Sequence, residues 1–473
     1  FSKIISFILK NFIYTLVVVL MLTQVNYQIP DSVYKLLRTL IIFNPLVFSF
    51  IVYSTGFVDY KQVYESAAYI DIAKNWLNNN SDLIAPERLP VYPIFIYLVF
   101  KLFSIDNLNA LLFMQGLIGS FTLYLLLKTL DLIKISRNLF ILLTIFFNLS
   151  IIFWFSVFLP NCFFIFLLTF FIFSFTKFYV EQNKKYFFLM CTFLILLILT
   201  RPIFTLSIFL VLPIISIIVF KGQFKNSIKA LMIICLFSSY FAGITLQSLR
   251  YYSYNKSFNY TTQTGVHFFY YIIPCLTQKY GCGDRNLETL NLLKDKYKEY
   301  RIKNPYKSIN EDSEVKIKLG IDFLLENNIS ISEIFISSIF SYLKTLFHSS
   351  VISIYESFEI MPSKVQNTSF SDPSERFFFL AKNFFEDYKI TFWYLALLFV
   401  LITRIIEFIG ILLIFSPGPH RLYICTIFST LLTLIIPTLG MGNPRYRSES
   451  EILLIILGAY GFYAISKFIR KTN

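Results

Sequence analysis

The chain has 473 residues, of which 56% are hydrophobic, 19% aromatic and only 15% charged. Soluble domains carry roughly 25% charged residues, so a single water-soluble core is excluded and a bilayer must solvate much of the apolar surface. The net charge of +14 does not point to nucleic acid, because the cations fall between apolar runs, where they read as topology signals.

Apolar runs of spanning or near-spanning length are predicted, in chain order, at 5–24, 37–57, 107–130, 138–155, 160–177, 186–200, 203–220, 228–247, 391–416, 421–438 and 450–468. The expected fold is an all-α integral membrane protein of about 11 (10–13) transmembrane helices with interfacial juxtamembrane helices. The chain then divides into N-terminal spans (1–57), a first outer loop (58–106), central spans (107–247), a large, mainly helical outer loop region (248–390) and C-terminal spans (391–473). No small-residue cleavage site follows the first run, which reads as a span or an extra packing helix rather than a cleaved leader. Residues 90–105 are apolar but short, and Pro90 and Pro93 interrupt their start, so they are expected to lie in the interface.

One orientation satisfies the positive-inside rule. It places Lys128, Lys134, Arg137, Lys177, Lys184, Lys185, Lys221, Lys225, Lys229, His420, Arg421, Lys467, Arg470 and Lys471 on the cytoplasmic side. The opposite face then holds 58–106, the turns at Pro160 and at Arg201–Pro202, the stretch 248–390 and the turn 439–449. A helix is expected after Asp59, with Val63, Ala67, Ile70 and Leu77 on one side. Residues 285–327 carry Leu290, Leu293, Tyr297 and Tyr300 at helical spacing and read as a small helical cap. Residues 331–356 read as an interfacial helix. Of the six cysteines, Cys162, Cys191, Cys235 and Cys425 fall in spans. Cys275 and Cys282 fall in the outer loop, where they either pair or stay free thiols.

Four places on the outer face carry charge next to apolar runs, where ionisable groups are functional candidates. Asp59 in GFVDYKQVY is either a catalytic carboxylate or a helix N-terminal acid favoured by the dipole. Arg88 in ERLPVYP is a substrate-binding cation or an interfacial anchor. Arg201 in ILLILTRPIF runs against the charge rule and calls for an anionic partner. Arg445 and Arg447 flank Tyr446 in MGNPRYRSESEILL. They suit a phosphate clamp, or structural pairing with Glu449 or Glu451. The three histidines, His267, His348 and His420, form no metal spacing, and no phosphate-binding loop or dinucleotide fingerprint is present. No cofactor or metal is called for.

These patches resemble, in their order, the GT-C superfamily of polytopic glycosyltransferases, in particular the protein mannosyltransferase-like and lipid-A aminoarabinose transferase-like branch. DYKQVYESAAYI is similar to the first-loop acid with its short helix, and RLPVYPIFIYLVFKLFS to the Arg-x-Pro-x-Tyr-Pro segment. NALLFMQGLIGSFTLYLLLKTL resembles the span that follows. LILLILTRPIF resembles the Leu-x-Arg-Pro turn, LRYYSYNKSFNYTTQTGVHFFYY the opening of the large outer loop, and GNPRYRSESEILLIILGAYG the entry to the last helix. The chain departs from the pattern at LPNCFF, where Asn161 stands in place of a second acid, and after Arg447, where Ser-Glu replaces Leu-Pro. The resemblance implies an inverting enzyme whose donor is a polyprenyl-phosphate-linked sugar and whose acceptor is a glycolipid, glycan or protein. It also implies a bacterial inner membrane with the site facing the periplasm or outside. Asp59 would be the general base. Arg201, Arg445, Arg447 and Arg88 would hold the lipid phosphate, with Tyr92 or Tyr446 hydrogen-bonding sugar or phosphate. A transporter or flippase of lipid-linked glycans is the main alternative, and it predicts ionisable groups within spans rather than at one face. A glycan ligase or polymerase using the same donor, and a non-catalytic membrane scaffold subunit, are the others.

Overall fold

Every regular element among the described residues is a helix, the outcome expected of long apolar runs, since a helix pairs its own backbone groups within one segment. The computed structural model describes residues 30–55, 64–78, 88–277, 287–330, 388–436 and 448–472, apart from single positions at 106, 137, 256, 307, 417 and 419, together with 332, 333 and 336. In chain order come α1 (Asp31–Thr55), the short α2 (Tyr64–Leu77) and α3 (Val91–Phe103), α4 (Leu108–Leu132), α5 (Leu139–Phe146), α6 (Leu149–Trp154), α7 (Pro160–Glu181) and α8 (Lys184–Ile198). A 3₁₀ turn (Pro202–Leu206) leads to α9 (Ser207–Leu210), α10 (Leu212–Lys221) and α11 (Asn226–Asn255). Then follow α12 (Gln263–His267), a π turn (Phe268–Ile272), α13 (Ile273–Leu276), α14 (Leu287–Lys303) and α15 (Ile309–Glu326). The chain closes with α16 (Tyr388–Leu412), α17 (Arg421–Ile435) and α18 (Glu451–Thr472).

Local chemistry sets many of these boundaries. The side chains of Asn107, Asn138, Asn148 and Asn183 accept from backbone amides at the starts of α4, α5, α6 and α8, and Ser308 does so for α15; these are the preferred N-cap residue types. Pro160 opens α7, where its missing N–H has no helical partner to lose, and Gln182 ends that helix in the left-handed region at φ 52°.

Each predicted span from 37–57 onward falls on one of these helices or on a helix pair. The first, 5–24, lies outside the described residues. Among the described residues, four helices are long and apolar enough to cross a membrane: 31–54, 108–132, 160–181 and 226–254. A fifth arises if the pair Pro202–Leu210 and Leu212–Lys221, bent by 44°, counts as one span. At three of the expected spans the reason is local. Asn148 caps α6 and breaks the expected span 138–155 into two short helices. Residues Lys184–Ile198 and Arg421–Ile435 make helices of 15 residues each, about 22 Å long. The expected interfacial segment is the 13-residue α3.

One apolar core runs through α1 to α11 and on through α17 and α18. α1 and α4 run antiparallel: Arg38 pairs with Asp131 at 2.8 Å near one end, while Ser49 lies against Gly116 farther along. α16 and α18 run parallel and very close. A Cβ on Gly410 would come within 1.9 Å of the Leu457 carbonyl oxygen, and one on Gly461 within 2.1 Å of that of Ile406, so only glycine permits this approach. On α2 the buried face is Ser66, Tyr69, Ile70 and Ala73. Of the face expected from Val63, Ala67, Ile70 and Leu77, Ile70 is buried and Leu77 packs against the core, Ala67 is exposed, and Val63 lies outside the described residues.

The expected cap forms beside the bundle. Leu293 of α14 and Phe323 of α15 enclose Phe269 and Ile273 in a second small core. Leu290 is buried as expected. Asn310 fastens the cap to the top of α11, accepting from the Tyr251 hydroxyl at 2.8 Å and donating to Ser257 at 2.6 Å.

Candidate functional site

Ser-Glu-Ser-Glu at the entry to α18 places Glu449 and Glu451 in the interior, both with side chains at 0% exposure. Each carboxylate meets an arginine and an asparagine from other parts of the chain. Glu449 accepts from Arg201, whose Nε lies 2.8 Å from Oε1 and whose Nη2 reaches the same oxygen, and from the Asn161 amide at 2.8 Å. Glu451 accepts from Arg404 Nη2 at 2.9 and 3.0 Å and from the Asn148 amide at 3.0 Å. Arg404 also pairs with Glu407 one turn along α16. Removing one member of a buried pair strands a charge and costs about 3–5 kcal/mol, so these contacts tie the last helix to α6, α7, α8 and α16.

Arg201 thus has the anionic partner that its position calls for, and that partner is a side chain of this protein. Asn161, where the resemblance leads one to expect an acid, donates to an acid that arrives from the C-terminal segment. A carboxylate stands at this point in space although position 161 does not supply it.

A second group lies at the start of α3. Tyr92 is buried, and its hydroxyl donates to Gln115 Oε1 at 3.0 Å. The Gln115 amide then donates to the carbonyls of Phe155 and Val157 at 3.1 and 2.9 Å. Tyr92 therefore works as an internal strut that holds the turn before α7. Arg88 is half-buried, with its guanidinium 5.1 Å above the Tyr69 ring and 3.4 Å from that hydroxyl. No carboxylate contacts Arg88 among the described residues. Arg250, near the end of α11, donates to the Arg88 carbonyl at 2.7 Å and to Gln247 at 3.3 Å. Arg250 thus holds the backbone from which the Arg88 side chain projects onto Tyr69. Phe95 of α3 packs on Phe163 of α7 at 5.1 Å, which links this group to the turn that carries Asn161.

These groups share one end of α7. The opposite end, about 33 Å away along 22 residues, carries Lys177, and Arg38 with Asp131 lies at the far ends of α1 and α4. Asp59, Arg445, Tyr446 and Arg447 lie outside the described residues, as do Cys282 and the side chain of Cys275. Among the described residues no group of three histidine, cysteine or acidic side chains could hold a metal ion.

In the cap, Arg301 lies 5.3–5.8 Å from the rings of Tyr297, Tyr300 and Tyr306 and donates to Asp312 at 2.6 Å and to Glu311 at 3.0 Å. Lys316 donates to the other Asp312 oxygen at 2.6 Å. Burial alone would raise the Asp312 pKa, but hydrogen bonds from Lys316, Tyr297 and Arg301 outweigh it and hold the carboxyl below its ordinary value.

Reading by segment ends named Glu449 and Glu451 only as partners for Arg445 or Arg447, and it missed Gln115, Arg250 and the Arg404–Glu407 pair. Only the last carried a sequence signal: an Arg and a Glu three apart within the apolar run LITRIIEFIGILL. No protein-family model matches the chain, and no curated protein matches it.

Proposed function

We propose that the chain is a polytopic membrane glycosyltransferase of the GT-C type, moving a sugar from a polyprenyl-phosphate donor to a lipid, glycan or protein acceptor at the non-cytoplasmic face. One observation supports this above the others. Stretches far apart in sequence, around residues 88–95, 115, 155–163, 201, 250 and 449, meet at one end of the helical bundle. That is the end at which a lipid-borne phosphate would present its sugar.

In this reading Asp59 takes the proton of the acceptor as it attacks the anomeric carbon with inversion. The departing phosphate gains charge, and fixed guanidinium groups stabilise it. Arg88 is the leading described candidate, because its described contacts are the Tyr69 ring and hydroxyl rather than an acid. Arg250 reinforces it through the Arg88 backbone. Arg201, Arg445 and Arg447 complete the set, with Tyr446 beside them. The test is transfer from radiolabelled polyprenyl-phosphate sugars in membranes carrying the full chain. Asp59→Asn is expected to abolish transfer while leaving expression and folding intact, and unchanged transfer would remove Asp59 from the mechanism. Arg88→Ala is expected to lower it by about 10²-fold or more, the scale of losing one transition-state charge contact.

A second reading, a transporter or flippase of lipid-linked glycans, has one observation in its favour. Arg404 and Glu407 lie well inside the 25-residue α16, with Glu451 against them, so ionisable groups are not confined to segment ends. Movement of a labelled lipid-linked glycan across proteoliposomes without chemical change would favour it.

A further inference from the structure

Three N–H donors from two chain segments converge on one carboxylate oxygen. Nε and Nη2 of Arg201 and the amide of Asn161 all reach Oε1 of Glu449. A guanidinium fork ordinarily takes the two oxygens of a carboxylate side by side. Here the fork closes on a single oxygen together with a third donor, which is how one oxygen of an oxyanion is gripped. Asn161 is also the second residue of α7, so the receptor sits at the positive end of a long helix. The donors stand at the adjoining ends of α7 and α8, which pack on each other, whereas the acid arrives on a separate segment before α18. Glu449 is fully enclosed, but the Arg201 side chain keeps 13% exposure, so the receptor is reached from the arginine's side.

We infer that Arg201 and Asn161 form a receptor for a phosphate group, and that Glu449 is its resident internal ligand, displaced when phosphate binds. The inference rests on the lipid-phosphate reading above and adds a competitor to it. The phosphate oxygen replaces the carboxylate on the guanidinium, and the displaced Glu449 takes up one proton from solvent, so entry of a phosphate monoanion leaves the charge of the site unchanged. No covalent bond is made or broken.

The test uses the full chain in detergent, with inorganic phosphate and a short prenyl monophosphate as probes and thermal stabilisation as the readout. Glu449→Gln is expected to bind at about tenfold lower probe concentration than the parent, within the usual range of coupling between competing ligands. Arg201→Ala in that background should cancel the gain. A gain with both probes means that phosphate alone suffices, and a gain with the prenyl monophosphate alone assigns the site to the lipid headgroup. A folded Glu449→Gln protein that binds both probes no more tightly than the parent overturns the inference. Should that variant not fold, infrared difference spectra of the unmutated chain carrying ¹³C-glutamate decide the matter. Probe addition is expected to replace a carboxylate band with a protonated carboxyl band, and an unchanged spectrum at millimolar probe overturns the inference. None of these arms needs turnover. Phosphate exchange without sugar transfer leaves the receptor standing and removes the transferase reading, and the reverse result removes the receptor alone.

Discussion

Glu449 and Glu451 sit two residues apart, yet each is held by a different arginine and a different asparagine, because side chains two apart at a helix start point to different sides. Arg404 is the member with most at stake. It neutralises Glu407 and Glu451 from within an apolar helix. Arg404→Leu removes that counter-charge and is expected to lower stability by about 3–5 kcal/mol, read as a fall in the detergent unfolding midpoint. Adding Glu451→Gln to Arg404→Leu should recover part of the loss, since it removes one of the stranded charges. The arginines at segment ends were legible in the sequence as exceptions to the charge rule. Their partners were not, because Asn161, Glu449 and Arg201 are separated by up to 288 positions and only folding brings them together.

Among the elements, the parallel pair α16 and α18 and the cap make the sharpest expectations. Gly461→Ala puts a methyl group 2.1 Å from a backbone oxygen of α16, and backbone cannot turn aside as a flexible side chain would. The helices must separate, at about 1–3 kcal/mol, with a matching fall in the unfolding midpoint. The cap is expected to respond to acid. The Asp312 pKa is lowered in the fold, so its contribution is fully present above the ordinary carboxylate value of 3.8 and is lost as pH falls below it. Hydrogen-exchange protection of α14 and α15 should therefore fall below about pH 4, well before that of α7. Asp312→Asn should speed the same exchange at neutral pH, by the loss of about 2–3 kcal/mol for hydrogen bonds to a charged group. Helix spacing of Leu290 and Leu293 made the cap visible in advance. The break at Asn148 was not, because a polar residue inside an apolar run reads as a tolerated exception until its side chain is seen capping α6.

For the whole molecule, the basic residues between apolar runs fix an expected orientation. With native cysteines replaced, Lys184→Cys and Tyr252→Cys mark opposite ends of the bundle, and both positions are exposed. A membrane-impermeant thiol reagent added to intact cells is expected to label position 252 and to spare position 184. Labelling of both from one side would refute the assignment.

Sequence alone determined the helical class, the apolar runs and their order, and the exceptional arginines, because composition and charge placement act locally and read out along the chain. Tertiary structure decided that Tyr92 is a strut, that Arg88 meets Tyr69 and Arg250, and that Arg201 closes on Glu449. Those outcomes depend on which side chains share a low-dielectric interior, where an unpaired charge is too costly to persist and Arg201 and Arg404 find their anions.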